Sequence, residues 1–145
     1  MSAQEANSAA QRKEQLRAIT EGYFEALRRK DFSLIPYDDN VTLRAPLVPG
    51  GVNQPLVGKE ALRAQWWQPL EPAMEGVQIQ VLDHYVNESL TSIVAEAEIT
   101  ITIVDPPATL RVADRFTVNG AGRIVEQENH FDPRDVTNPG WQRRE

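Results

Sequence analysis

The stretch VADRFTVNGAGRIVEQENHFD, residues 112 to 132, places an aspartate where a strand should be apolar. Val112, Phe116 and Val118 alternate as residues on one face of a β-strand do, and Asp114 falls in phase with all three. Burying an ionised carboxylate costs several kcal/mol, so Asp114 must find a hydrogen-bonding partner or stay protonated through a raised pKa. A protonated aspartic acid in an apolar cavity can donate a hydrogen bond to a carbonyl oxygen and stabilise negative charge that develops there. The plainer alternative is an aspartate that lies near the strand end, or one satisfied by Gln127 and backbone groups.

The residues opposite Asp114 sharpen this reading. With Asn119 to Gly122 as the hairpin loop, Phe116 pairs with Val125, Asp114 with Gln127 and Val112 with Asn129. A one-residue bulge at the glycines would slip that register, but the opposite phase would bury Glu126, Glu128 and His130, a worse outcome. Gln127 and Asn129 are thus expected beside Asp114, placed to orient a ligand, with Phe116 and Phe131 lining the same cavity. Trp66 lies four residues from Leu62 and should face the core or the pocket, core packing being favoured.

Other chemistry is weaker. Asp83 and His84 are neighbours whose side chains leave a strand on opposite faces, and His130 with Asp132 is a comparably poor dyad. Two distant histidines and carboxylates without ligand spacing predict no metal site. NGAG is a hairpin turn and no phosphate loop, because no helix follows it.

The elements that must position these groups follow from periodicity. Residues 1 to 11 are small and polar and read as a disordered tail, after which Leu16, Ile19, Tyr23, Phe24 and Leu27 mark an amphipathic helix. A short helix is expected at Phe32 to Ile35, stopped by Pro36, then a strand at Val41 to Ala45 and a Pro/Gly-rich loop long enough to border a site. A further helix follows Gly58 and is ended by Pro69. From Val77 the period becomes two, with one strand in VQIQVLDHYV, Val77 to Val86, and a clearer one carrying Ile93, Ala95, Ala97, Ile99, Ile101 and Ile103 on one face. Strands Leu110 to Val118 and Arg123 to Phe131 complete the run. The pattern predicts a single α+β domain over 12–133, helices covering one side of a curved, mainly antiparallel sheet, with 134–145 as a polar C-terminal tail.

Composition bounds the function. The chain of 145 residues is 41% hydrophobic and 25% charged, with net charge −6, a balance that disfavours binding nucleic acid or an anionic membrane. Cysteine is absent, which removes thiol chemistry and disulfides. No stretch approaches the ~18 apolar residues of a membrane span, and no secretory signal is evident, so a cytoplasmic location is expected.

The chain resembles the nuclear transport factor 2-like superfamily, which includes ketosteroid isomerases, SnoaL-like polyketide cyclases and limonene epoxide hydrolases. GYFEALRRKDFSLI is similar to the first helix of ketosteroid isomerases, and DRFTVNGAGRIV to their Asp-His-Phe strand and Asn-Gly-Ala-Gly turn. The resemblance implies a cone-shaped α+β fold with about three N-terminal helices, and it places Tyr23 and Asp114 on the two donors of an oxyanion hole. It further implies a cofactor-free enzyme acting on a hydrophobic carbonyl compound by isomerisation, cyclisation or dehydration, with Gln127, Asn129, Phe116, Phe131 and Trp66 contacting the ligand. Two departures matter. The general base, an Asp before a Pro, matches Ala45 in DDNVTLRAP, leaving Asp38, Asp39 or a loop residue as substitutes. The epoxide hydrolases' catalytic Asp matches Asn129, and their Arg and second Asp match Ala95 and Ala97. The competing expectation is a non-catalytic ligand-binding or dimerisation domain of the same fold. A homodimer is expected through the exposed sheet face that carries Glu96, Glu98, Thr100 and Thr102.

Overall fold

A computed structural model describes residues 2–137. Helix α1 spans Ala3–Arg29 and starts far earlier than the expected end of a disordered tail. Ser2 accepts a hydrogen bond from the Glu5 backbone while Glu5 reaches back to Ser2, a capping box that satisfies two orphan donors of the first turn. The first turns stand in solvent; burial begins at Leu16 and continues through Ile19, Thr20, Tyr23, Phe24, Ala26 and Leu27. Arg12 fastens the helix to the sheet, donating to the carbonyls of Leu90 (2.9 Å), Val118 (2.7 Å) and Asn119 (3.2 Å).

A 3-10 turn at Phe32–Leu34 leads into β1, Tyr37–Arg44, which starts four residues before the expected strand. A loop and the short β2, Leu56–Val57, follow. The second helical run does not stop at Pro69. It is α-helical over Lys59–Leu62, widens to a π-turn over Arg63–Trp67, and continues through Gln68–Leu70 and Glu71–Met74. A π-turn shifts the hydrogen-bond ladder by one residue, which eases the missing N–H of a proline just beyond it.

Strands β3 (Gln78–Val86), β4 (Ser92–Ile101), β5 (Ala108–Val118) and β6 (Ile124–His130) form the body of a sheet ordered β2-β1-β6-β5-β4-β3. All neighbours are antiparallel except β1 and β6, which run parallel. β4 ends before Ile103, which is left 54% exposed rather than sharing the inner face. The inner faces of β4, β5 and β6 pack against the buried stripe of α1 and the tryptophans of the second helical run.

The β5–β6 register differs from expectation by two residues, one in the turn, where Val118 meets Ile124 rather than Arg123, and one in a bulge beside it. Asp114 lies opposite Asn129 and Phe116 opposite Gln127, with a register shift between Thr117 and Val118. The bulge lets Ile124 and Gln127 both point inward, so Gln127 and Asn129 keep the inner face while Ile124 takes the place expected of Val125. Beyond Phe131 a helical turn covers Arg134–Thr137, within the segment expected to be a tail; 138–145 lie outside the described residues.

Candidate active site in the concave face

Three layers enclose a cavity of about 280 Å³: α1 on one side, the second helical run on another, and the inner face of β5–β6 as the floor. Tyr23 and Leu27 come from α1, Trp66, Leu70 and Met74 from the helical run, and Val112, Asp114 and Asn129 from the sheet. Leu47 and Val48, in the loop expected to border a site, do line it, as do Phe131 and Val136. The walls are overwhelmingly apolar. Tyr23 and Asp114 are the ionisable residues among them.

Asp114 is 2% exposed, and its Oδ1 has no hydrogen-bond partner among the described residues. Burial alone pushes its pKa up to about 8, because no cation stands near enough to oppose the loss of water. Its β4 neighbour is Ala95, with Ala97 two residues along; both are fully buried and neither can supply a charge. The carboxyl is therefore predominantly neutral at pH 7, with a proton to give.

Tyr23 is held on three sides by rings. It stacks nearly parallel to Trp66 at 6.3 Å and meets Phe116 edge-on at 4.9 Å and Phe24 at 5.3 Å. Its pKa lies well above the ordinary phenol value, first through burial and then through the nearby Asp114 and Tyr37; hydrogen bonding from Gln127 and Asn129 acts the other way. A neutral phenol is the result.

Behind these groups runs a chain of neutral hydrogen bonds. The Tyr37 hydroxyl donates to Gln127 Oε1 at 2.5 Å, and Gln127 Nε2 donates to Asn129 Oδ1 at 3.1 Å. Sequence reasoning missed Tyr37, which sits in a non-periodic break at the start of β1, and only the tertiary fold brings it within reach of β6.

The structure thus brings Tyr23, Asp114, Asn129, Trp66 and Phe131 to one cavity. Gln127 and Phe116 are buried behind the wall, at 1% and 0% exposure, and support the residues in front of them. Ala45 lines the cavity, whereas Asp38 and Asp39 do not, so neither expected substitute for the base is in place. His84 bonds Thr20 Oγ1 at 2.9 Å in a groove between α1 and β3, and His130 pairs with Glu128 at 3.2 Å on the opposite sheet face. Among the described residues no group of three His, Cys, Asp or Glu is placed to hold a metal ion, and no helix is long and apolar enough to cross a membrane.

The geometry has counterparts in known proteins. Residues 20–127 match the SnoaL-like domain, a span that takes in Tyr23, Trp66 and Asp114 and stops before Asn129, Phe131 and Val136 of the cavity wall. The chain belongs to the SnoaL-like domain family. Its fold is the nuclear transport factor 2-like fold, and solved structures of similar architecture span several activities. SalBIII, an epoxide hydrolase/cyclase-like enzyme of pyran ring formation in the polyether salinomycin, is 19% identical with TM-score 0.70, covering 85% of this chain and 95% of that one. A steroid delta-isomerase from Pseudomonas aeruginosa is 17% identical with TM-score 0.59 over 82% of this chain and 80% of its own. An LEH-like epoxide hydrolase from M. tuberculosis is 20% identical with TM-score 0.60 over 86% of this chain and 87% of its own. At these identities the likeness extends to the fold. No curated protein sequence matches the chain. Within the SnoaL-like family, then, the site's chemistry has to be argued from its own residues.

Proposed function

We propose that this SnoaL-like protein is a cofactor-free enzyme that binds a hydrophobic, oxygen-bearing small molecule in the cavity and activates it by hydrogen-bond donation from Tyr23 and Asp114. The observation that carries the reading is Asp114 itself: a buried acid with an unpartnered oxygen, on the wall of an apolar cavity that also presents a buried phenol. Structures that stabilise only the fold have no use for an uncompensated acid in the core. Donors aimed at a carbonyl or ether oxygen lower the barrier by stabilising charge that appears there in the transition state.

The missing base narrows the reaction. Proton abstraction next to a carbonyl needs a carboxylate or similar group, and no lining residue is a free anion at pH 7. Steps in which Asp114 gives one proton and takes another back fit better: attack by a substrate hydroxyl on the substrate's own epoxide carbon, which closes a ring as the epoxide C–O bond breaks, its oxygen taking the Asp114 proton and the attacking hydroxyl returning one, or loss of a hydroxyl as water with the Asp114 proton, the carboxylate left behind taking the proton from the neighbouring carbon. Trp66 and Phe131 would pack the apolar body and Asn129 would steady the polar end.

The test is turnover of a panel of hydrophobic enones, hydroxy-ketones and hydroxy-epoxides by the wild type, Tyr23→Phe and Asp114→Asn. Turnover that falls in both variants supports the proposal; turnover that neither variant changes would sink it. The same absence of a base favours a second reading, a ligand-binding domain without catalysis, and it predicts tight binding of such compounds with no conversion. A homodimer through the outer face of β4 is compatible with either reading, and sedimentation at several concentrations decides it.

A further inference from the structure

The hydrogen-bond chain behind the cavity has a direction, and burial sets it. Tyr37 is 1% exposed, and among the described residues its hydroxyl has a single partner, the side-chain amide of Gln127. If Gln127 turned its NH₂ toward Tyr37, the phenol would accept and its own proton would be left buried without an acceptor. A stranded donor of this kind costs about 1–3 kcal/mol, so the phenol donates and Gln127 must present Oε1 to it. Gln127 then has only Nε2 to offer Asn129, whose Oδ1 is taken up in turn. What remains of Asn129 is its own NH₂, at the cavity wall and toward Tyr23.

We propose that Tyr37 is a positioning residue that sets the polarity of the cavity: through Gln127 it compels Asn129 to present N–H rather than C=O, so the polar end accepts ligands with a hydrogen-bond acceptor oxygen. An Asn129 turned the other way would accept the Tyr23 proton, and the phenol would be lost as a donor to the ligand. The chain is neutral throughout, so its direction holds across the physiological pH range. The inference rests on the hydrogen-bond-donor reading above, and it adds the class of polar group selected and the residue, remote from the cavity, that selects it.

The probe is a propionyl-dimethylaminonaphthalene fluorophore, a neutral hydrophobic ketone whose emission moves to the red when its carbonyl accepts hydrogen bonds. Its propyl analogue, which lacks the oxygen, serves as the control. Wild-type protein should prefer the ketone and give red-shifted emission. Tyr37→Phe keeps the ring and should lose about tenfold of that preference, with emission moving to the blue, while affinity for the propyl analogue holds. Where Tyr37→Phe does not fold, Gln127→Met breaks the same chain and is read the same way. An unchanged preference in these variants, alongside a loss in Tyr23→Phe, overturns the role of Tyr37 and leaves the donor site standing. Equal loss of ketone and analogue also overturns it, because that marks a packing defect. If wild type shows no preference for the ketone, or Tyr23→Phe leaves it unchanged, the donor site fails and the inference fails with it.

Discussion

The two faces of the β5–β6 hairpin handle polar side chains in opposite ways. On the outer face Arg115 reaches Glu128 at 3.3 Å and Glu126 at 3.7 Å, and His130 lies 3.2 Å from Glu128, so each charge has a partner and water nearby. On the inner face Gln127 and Asn129 are neutral and bonded in series, and Asp114 is left with an orphan oxygen. The two acids show the contrast most directly. Burial pushes Glu128 up, but hydrogen bonds from His130 and Arg115 outweigh it and its pKa ends below the usual value; burial acts on Asp114 unopposed and takes it to about 8. Residues one register step apart on neighbouring strands thus sit in environments that favour a charge and forbid one. A fold under pressure for stability alone would have put an apolar residue at 114, so the inner face reads as a surface kept for chemistry.

Adding a charge to the inner face is the most severe way to break this contrast. Ala45→Asp places a carboxylate on the cavity wall, and with donors holding a carbonyl close by it should speed proton removal from the adjacent carbon by about 10²-fold or more. Deuterium exchange from solvent into a hydrophobic ketone, followed by NMR, measures the gain; no gain means that the donors hold no carbonyl within reach of position 45. Removing the donors comes next in size. Tyr23→Phe and Asp114→Asn should each lower turnover by about 10²-fold, whereas Arg115→Ala on the outer face should leave it nearly unchanged. Wild-type turnover should fall as pH rises through about 8, where Asp114 loses its proton, and in Asp114→Asn that limb should vanish.

Stability should move the other way. Asp114→Leu replaces an uncompensated acid by an apolar side chain and should stabilise the protein by about 1–3 kcal/mol at neutral pH, read from denaturant midpoints. The pH dependence has a definite sign. From about 3.8 to about 8 the unfolded chain gives up a proton that the folded chain keeps, so this group's contribution to stability is full at low pH and drains away as pH rises through that window. The gap between Asp114→Asn and wild type should therefore widen from about pH 5 to about pH 9 in thermal melts; a constant gap would mean that the carboxyl ionises normally in the fold.

The inner face was largely legible because strand periodicity is a local property. Gln127 and Asn129 share a phase along one strand, and the cost of burying Glu126, Glu128 and His130 instead sets them on the inner face with Asp114, where they lie. Their partners were not legible, since pairing depends on two residues absorbed at the turn, one in the loop and one in the bulge beside it. Gly122 holds φ +80 there, and a Cβ at that position would stand 2.7 Å from Gln15 of α1, a contact between distant parts of the chain. Tyr37 was invisible for a related reason: it opens a strand that pairs parallel to β6, the last strand, and nothing in PYDDN points that far along the chain. The early start of α1 was written in Ser2 and Glu5, three apart, but small polar composition masked it. Pro69 misled because the π-turn before it is a backbone adjustment without a residue signature.

The outer face supplies the smallest effect and the cleanest control. Arg115 and Glu128 are about one-third and one-quarter exposed at the side chain, so their attraction is diluted by solvent and opposed by the entropy of ordering a long side chain. Glu128→Gln should destabilise by roughly 1 kcal/mol or less, and the difference should shrink further in high salt as the ion pairs are screened. Asp114→Leu should show no such salt dependence, because a neutral buried acid has no ion pair to screen. Urea melts of both variants at low and high ionic strength separate the cases. A salt-dependent effect at position 114 would reveal a cation near the cavity floor, and the site would then bind the anionic form of Asp114 rather than use its proton.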